Sequence, residues 1–276
     1  MTTTYPNLET NFITWAQAQP NIRAAIVVGS RARVEPPPDE WSDLDLIVYA
    51  TAPHRYAQES AWLETFGPVW LAHHNTTFAG DAEWMVLYAG GLKVDFVLAQ
   101  AANSLQTAIN QSPYHIVLRR GVRLLFDKDS PKTELHLPLP TAPAPPSEAD
   151  YLALISAALL TATRTARLLQ RGELWQAKAA CDTALKGHLL TLLEWQATIK
   201  SNTPPDVWYD GRFISHWADP QALADLPATF ARYEQADLWR ALFATLTLFE
   251  RLALEVGVAL GYAYPAEMVA HRWWRG

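Results

Sequence analysis

Cysteine is almost missing from this chain: the 276 residues hold one, Cys181. An intrachain disulfide is therefore excluded, and a reducing, cytoplasmic location is expected. Long uninterrupted apolar runs are lacking too. The longest ones carry charges or turn residues within the length of a membrane span, so no transmembrane helix and no membrane partner are expected. No basic stretch followed by an apolar core opens the chain, so no signal peptide is expected. A positive excess is also missing. The formal net charge of -6 argues against a phosphate-backbone partner such as DNA or tRNA. It suits a small cationic partner. What is present is a globular composition, 50% hydrophobic, in a chain long enough for one large or two ordinary domains.

Residues 22–48 carry most of the chemistry. The apolar, β-branched run Ile22 to Val28 reads as a buried strand that ends at Gly29-Ser30. Gly29 permits a tight turn, and backbone N–H groups after such a turn can cradle phosphate oxygens. Ser30 adds a hydroxyl donor, and Arg31 and Arg33 add positive charge. A loop broken by Pro36, Pro37 and Pro38 leads to Asp43-Leu44-Asp45-Leu46-Ile47-Val48. On a strand, Asp43 and Asp45 share one face while Leu44, Leu46 and Val48 take the other. Two adjoining carboxylates repel unless a cation lies between them. A pair of Mg²⁺ ions shared with nucleotide phosphates is the usual solution, although both residues could simply cap a strand or loop. Asp95 stands alone in the apolar alternation Leu92 to Leu98, a costly place for an unpartnered charge.

The pattern resembles the nucleotidyltransferase superfamily of DNA polymerase β: a strand, Gly-Ser, a spacer, Asp-x-Asp, and a third carboxylate on a nearby strand. The resemblance implies that Asp43, Asp45 and Asp95 bind metal and carry the catalysis, and that Gly29, Ser30 and Arg31 hold the nucleotide.

The rest of the first half supplies the elements of such a domain. Leu8, Phe12, Trp15 and Ala16 fall at helical spacing, and Pro20 ends that helix. Further elements are a helix over about 53–66, a short strand over 69–72 and a hairpin of 83–89 with 92–99 around Gly90-Gly91. A helix over 101–110 follows, then a last strand or extended segment over 122–126. His73-His74 lacks a third ligand at a recognisable spacing and reads as a strand end. Residues 131–146 are proline-rich and read as an extended linker. Beyond them the chain turns Ala/Leu-rich, with helices over 148–170, 173–200, 234–260 and 265–273 and a Trp-rich irregular segment over 202–217. Ser147 and Asp150 form a helix start. The fold class is therefore α+β. A mixed sheet flanked by helices over residues 1–130 precedes an all-α bundle over 147–276.

Lys178, Asp182 and Lys186 form an i, i+4, i+8 stripe, which from spacing alone is a solvated salt-bridge ladder. A family resemblance adds a second meaning. The segments Arg171-Gly172-Glu173-Leu174-Trp175, Asp182-Thr183-Ala184-Leu185-Lys186, Leu192-Leu193-Glu194-Trp195, Asp210-Gly211-Arg212-Phe213 and Trp217-Ala218-Asp219 resemble the helical domain of the streptomycin-modifying aminoglycoside 6-adenylyltransferases. The Gly-Ser-Arg-Ala and Asp-Glu-Trp-Ser-Asp-Leu-Asp segments of the first half are similar to theirs as well. The resemblance implies Mg²⁺-dependent transfer of AMP from ATP to a hydroxyl of an aminoglycoside, with streptomycin as the expected acceptor and two Mg²⁺ ions as cofactors. It implies that Lys186 reaches a nucleotide phosphate and that Asp182, Asp210 and Trp175 contact the cationic antibiotic. The Trp175, Trp195, Trp208 and Tyr209 rings could wall the pocket or stack on adenine, although core packing is the better account of any single Trp. The general base stays open between Asp95 and another carboxylate such as Glu83. A monomer is expected. The alternatives are transfer to a lincosamide or to a protein hydroxyl, or a catalytically dead nucleotide-binding module. Three adjoining carboxylates argue against the last.

Overall fold

A computed structural model describes residues 3–33, 36–130, 134–137, 144–203, 205–207 and 209–267. The chain divides into two compact units, Met1–Thr141 and Ala142–Gly276.

The first unit is organised by a six-stranded mixed sheet. Its elements run α1 (Tyr5–Ala18), β1 (Ile22–Val28), β2 (Leu44–Ala50), α2 (His54–Gln58), β3 (Val69–Thr76), β4 (Ala82–Tyr88), β5 (Leu92–Gln100), α3 (Leu105–Asn110), α4 (His115–Leu118) and β6 (Arg123–Asp127). The strand order is β3-β4-β5-β2-β1-β6. Only β2 and β5 pair in parallel; the other pairs are antiparallel. The period-2 alternation of β2 and β5 separates two cores. Leu44, Leu46, Val48, Val94, Phe96 and Leu98 pack with α1 through Leu8, Phe12 and Ala16. Ile47, Tyr49, Val97 and Ala99 pack on the opposite face with Leu105, Ile109 and Leu118 from α3 and α4. The sheet is thus covered on both faces, which makes its central strands apolar nearly throughout.

Several elements differ from the sequence expectation. The helix expected over 53–66 is two short pieces, α2 and a 3₁₀ turn at Ala61–Thr65. Glu59 between them is extended (φ -125°, ψ 135°). The break lets Trp62 lie flat on Trp15, with centroids 5.1 Å apart, while its Nε1 donates to the Tyr56 carbonyl at 3.0 Å. The strand expected to end at residue 72 runs on to Thr76, carrying His73 and His74 opposite Met85 and Trp84. The helix expected from 101 begins only at Leu105, because the Ser104 side chain caps it by accepting from Thr107 N–H at 3.1 Å. Within the stretch read as a linker, Leu135 and Leu137 pack on the α3 side of the sheet and His136 N–H donates to Gln106 at 2.9 Å.

In the second unit every element formed by the described residues is helical: α5 (Glu148–Gln170), α6 (Leu174–Ala179), a π turn (Ala180–Leu185), α7 (Lys186–Lys200), α8 (Ile214–Trp217), α9 (Pro220–Asp225), a 3₁₀ turn (Leu226–Thr229) and α10 (Gln235–Leu260). The Ser147–Asp150 capping box is formed. α5 is long and apolar enough, by length and composition, to cross a membrane. Its Tyr151, Ile155, Ala158, Ala162, Ala166 and Leu169 are nevertheless packed into the helical core. Gly257 lets α10 approach α5. A Cβ there would lie 2.7 Å from the Tyr151 hydroxyl, which donates to the Ala253 carbonyl at 2.9 Å. The helix expected over 173–200 is present as an unbroken helical run, α6, the π turn and α7, with the π turn a local widening inside it. The helix expected over 265–273 lies mostly outside the described residues.

Glu255 of α10 accepts from Lys200 and Gln196, each at 2.6 Å, and from Arg251 at 2.8 Å. Burial works to raise its carboxyl, but these three donors outweigh it and hold the group at about 2 against an ordinary 4.5. A depressed carboxyl stabilises the fold above the unfolded value and loses that contribution as pH falls towards the folded one. Glu255→Gln is therefore expected to unfold at lower denaturant concentration than wild type at pH 7. The gap should narrow steadily as denaturation is repeated from pH 5 down to pH 3. A constant gap would show that the carboxylate charge is not what stabilises.

Candidate active site

Three carboxylates meet where β2 and β5 begin. The parallel register sets Asp45 directly beside Asp95. Asp43 lies two residues before Asp45, so the pleat turns it to the same side. Lys93, two residues before Asp95, comes to that side as well. Its ammonium donates to Asp43 Oδ2 at 2.9 Å and to Asp95 Oδ2 at 2.7 Å. The Asp95 side chain is 14% exposed, and its second oxygen, Oδ1, is buried without a hydrogen-bond partner. Burial pushes the Asp45 carboxyl up to about 7, with repulsion from Asp95 adding to it. Burial opposes the Lys93 ammonium, but Asp95 and Asp43 outweigh it and hold that group above the ordinary lysine value.

The turn after β1 forms the other wall. Gly29–Arg31 is a single 3₁₀ turn, with Ala32 and Arg33 N–H both directed at the Gly29 carbonyl, at 3.2 and 3.3 Å. Gly29 has φ +68°, and a Cβ there would lie 2.3 Å from Asp45 Oδ2. This position thus needs glycine for its backbone and for the carboxylate it touches. The buried Ser30 donates its hydroxyl to the Asp43 carbonyl at 3.4 Å, and Arg31 Nε donates to the Ser42 carbonyl at 3.0 Å. The Arg31 guanidinium lies 3.6 Å from the centre of the Tyr5 ring. Glu83 lies on β4 two residues from Met85, the cross-strand partner of Asp95. Its charge reaches Asp45, and Asn75 donates to its Oε2 at 3.1 Å.

Among the described residues, no three acidic, histidine or cysteine side chains converge closely enough to hold an ion by themselves. Their chemistry nevertheless fits a hard divalent cation. The donors are carboxylate oxygens, one of them is buried and unpartnered, and a cationic group already bridges two of the three.

The family model of streptomycin adenylyltransferase matches residues 3–271. The chain belongs to that family. It is a nucleotidyltransferase. The aminoglycoside 6-adenylyltransferase of Bacillus subtilis (strain 168) is 21% identical over 269 residues, covering 92% of this chain and 90% of that one. The aminoglycoside 6-adenylyltransferase of Campylobacter jejuni is 20% identical over 263 residues, covering 92% and 88%. A crystal structure of an aminoglycoside 6-adenyltransferase from Bacillus subtilis aligns with 17% identity and a TM-score of 0.47, covering 98% and 96%.

The family member's second unit holds the remaining residues singled out in the sequence. Asp182 sits in the π turn, a geometry that often marks functional sites. Its Oδ2 accepts from Lys178 at 2.6 Å, and Lys186 lies 3.9 Å from Oδ1. Lys186 is turned inward: its side chain is 10% exposed and its ammonium donates to Thr245 at 2.9 Å. Burial lowers its basicity. The expected ladder is therefore real, but one of its lysines belongs to the interior. Asp210 lies in a tight turn with φ +48°, followed by Gly211 at +73°. A Cβ on Gly211 would lie 3.4 Å from Leu190 of α7, one turn before Glu194. Burial raises the Glu194 carboxyl, and the Asp210 charge raises it further. Neither residue forms an ion pair among the described residues. Trp175 is 78% exposed, Trp195 packs against the helical core, and Trp208 lies outside the described residues.

Sequence reasoning missed Lys93, Tyr5 and the Glu194–Asp210 pairing. Lys93 was legible in principle, because Lys-x-Asp on a strand must share a face. The other two depend on contacts distant in sequence.

Gly29→Ala is expected to keep the fold yet cut nucleotidyl transfer by about a hundredfold or more, because the methyl group displaces the Asp45 carboxylate. Circular dichroism together with initial rates checks both halves. A folded variant with wild-type rates would show that Asp45 need not stay where it is.

Proposed function

We propose that this nucleotidyltransferase moves AMP from ATP to a hydroxyl of a cationic aminoglycoside, streptomycin foremost. The observation that carries the reading is the cross-strand Asp45–Asp95 pair with Asp43 beside it. Pure nucleotide binding has no need of three adjoining carboxylates, two of them largely buried and Asp43 at the open end. Family membership and the names of the relatives support the acceptor class.

In the proposed reaction the acceptor hydroxyl oxygen attacks the α-phosphorus. The bond from that phosphorus to the bridging oxygen breaks, and pyrophosphate leaves with the electron pair. Asp43 and Asp45 would hold two Mg²⁺ ions, and Asp95 one of them. When bound, these ions neutralise phosphoryl charge and lower the pKa of the attacking hydroxyl. The hydroxyl proton needs an acceptor. Glu83 is the carboxylate on this face whose hydrogen-bond partner is a neutral amide, Asn75, and it is assigned that role. Ser30 and Arg31 brace the turn after Gly29, and the nucleotide phosphates are assigned to that turn.

The acceptor's positive groups are assigned to the second unit. Asp182 already has Lys178 bonded to its Oδ2 and Lys186 3.9 Å from its Oδ1, so two cations compete for it, although Oδ1 is buried without a hydrogen-bond partner. Lys186 is assigned to fixing Asp182 against α10 rather than to meeting a phosphate. Glu194 and Asp210 repel each other and form no ion pair among the described residues, and a guanidinium between them would relieve both. Trp175 offers an exposed ring for the acceptor's apolar surface.

Incubating the purified chain with α-labelled ATP, Mg²⁺ and an aminoglycoside panel tests the activity directly. Labelled streptomycin is expected, and Asp43→Asn or Asp45→Asn should abolish it. Near-wild-type transfer by either folded variant would remove the carboxylates from the chemistry. In calorimetric titrations of streptomycin, Glu194→Gln and Asp210→Asn should each weaken binding by roughly tenfold or more, on the order of one desolvated charge pair. Asp182→Asn should weaken it less. The reverse order would return the acceptor's positive group to Asp182.

A further inference from the structure

Lys93 occupies the place in the acidic site where an incoming cation would be most useful. Its Nζ lies 2.9 Å from Asp43 Oδ2 and 2.7 Å from Asp95 Oδ2, bridging the loop before β2 and the second residue beyond it on β5. Such a bridge neutralises part of the repulsion among three carboxylates. It also takes up one oxygen from each of two residues that a divalent ion would need. Asp95 Oδ1 is left buried and unpartnered.

The surroundings separate the Lys93 backbone from its ammonium. The Lys93 backbone is held in the antiparallel β4–β5 ladder opposite Leu87. The start of β5 is therefore fixed. The Lys93 side chain, in contrast, is 39% exposed. It is a flexible four-carbon stem whose head can move into water without disturbing the sheet.

We propose that Lys93 is a positioning residue, a built-in counter-cation that holds Asp43 and Asp95 together in the metal-free enzyme and releases them when a divalent cation enters. It thereby sets how much metal the site requires. The inference rests on the metal-binding reading given above. It concerns this chain's own lysine, and its consequences are visible without turnover.

The test uses the full chain and Mn²⁺ alone, followed by electron paramagnetic resonance titration, with Lys93→Met and Lys93→Arg beside wild type. Lys93→Met should bind Mn²⁺ at least about tenfold more tightly, the scale of removing one unit charge from a partly buried site. It should also melt at lower temperature in chelator and recover when Mn²⁺ is added. Lys93→Arg, which keeps the charge, should stay close to wild type in affinity. Equal or weaker Mn²⁺ binding by Lys93→Met would overturn the proposal while leaving the metal site itself standing. A wild-type chain that binds no Mn²⁺ would instead overturn the metal-binding reading, and this inference with it. Should Lys93→Met fail to fold, wild-type protein decides the matter. Reductive methylation mapped by mass spectrometry should label Lys93 more heavily in saturating Mg²⁺ than in chelator, and equal labelling would sink the idea.

Discussion

Repulsion between carboxylates on a buried sheet face is the constraint on which the first unit depends. Asp45 and Asp95 are forced side by side by the register of the parallel β2–β5 pair, and Asp43 adds a third charge at the open end. Such a group costs several kcal/mol in a low-dielectric setting unless it is compensated. The neighbourhood is arranged around that cost. Lys93 supplies a positive charge, and Gly29 gives up a side chain so that Asp45 has room. The β4–β5 ladder pins the backbone that carries Lys93. The apolar alternation of β2 and β5 then anchors these polar ends to cores on both faces of the sheet. The backbone of the site belongs to two adjacent interior strands of the sheet.

The helical unit applies the same electrostatics in two opposite ways. Asp182 has counter-charges beside it: Lys178 bonds to its Oδ2 and Lys186 lies 3.9 Å from its Oδ1, which is buried without a hydrogen bond. Such a cluster holds helices in register. Glu194 and Asp210 form no ion pair among the described residues, with Glu194 half-buried on α7 and Asp210 brought near it by a turn at positive φ. Charge without a partner, at a place the backbone strains to reach, is the stronger sign of a ligand. Counting acidic residues would treat these two groups alike; their counter-charges separate them.

The amino-acid sequence by itself determined the strands, the turn and the carboxylates of the site. Alternation in 44–50 and 92–100, glycine before a serine, and aspartates at i and i+2 are local patterns, and local patterns decide which face a strand residue occupies. Helix starts at Ser147 and the long apolar stripes of α5 and α10 were legible for the same reason. Tertiary structure alone decided what stands opposite each of these residues. It broke the expected helix over 53–66 so that Trp62 could stack on Trp15, and it put a π turn inside the helix over 173–200. It turned Lys186 inward to Thr245 and set Asp210 near Glu194. A side chain's partner across the fold depends on packing between segments tens of residues apart. Periodicity along one segment contains no term for that distance, so the charges could be found in the sequence while their compensation could not.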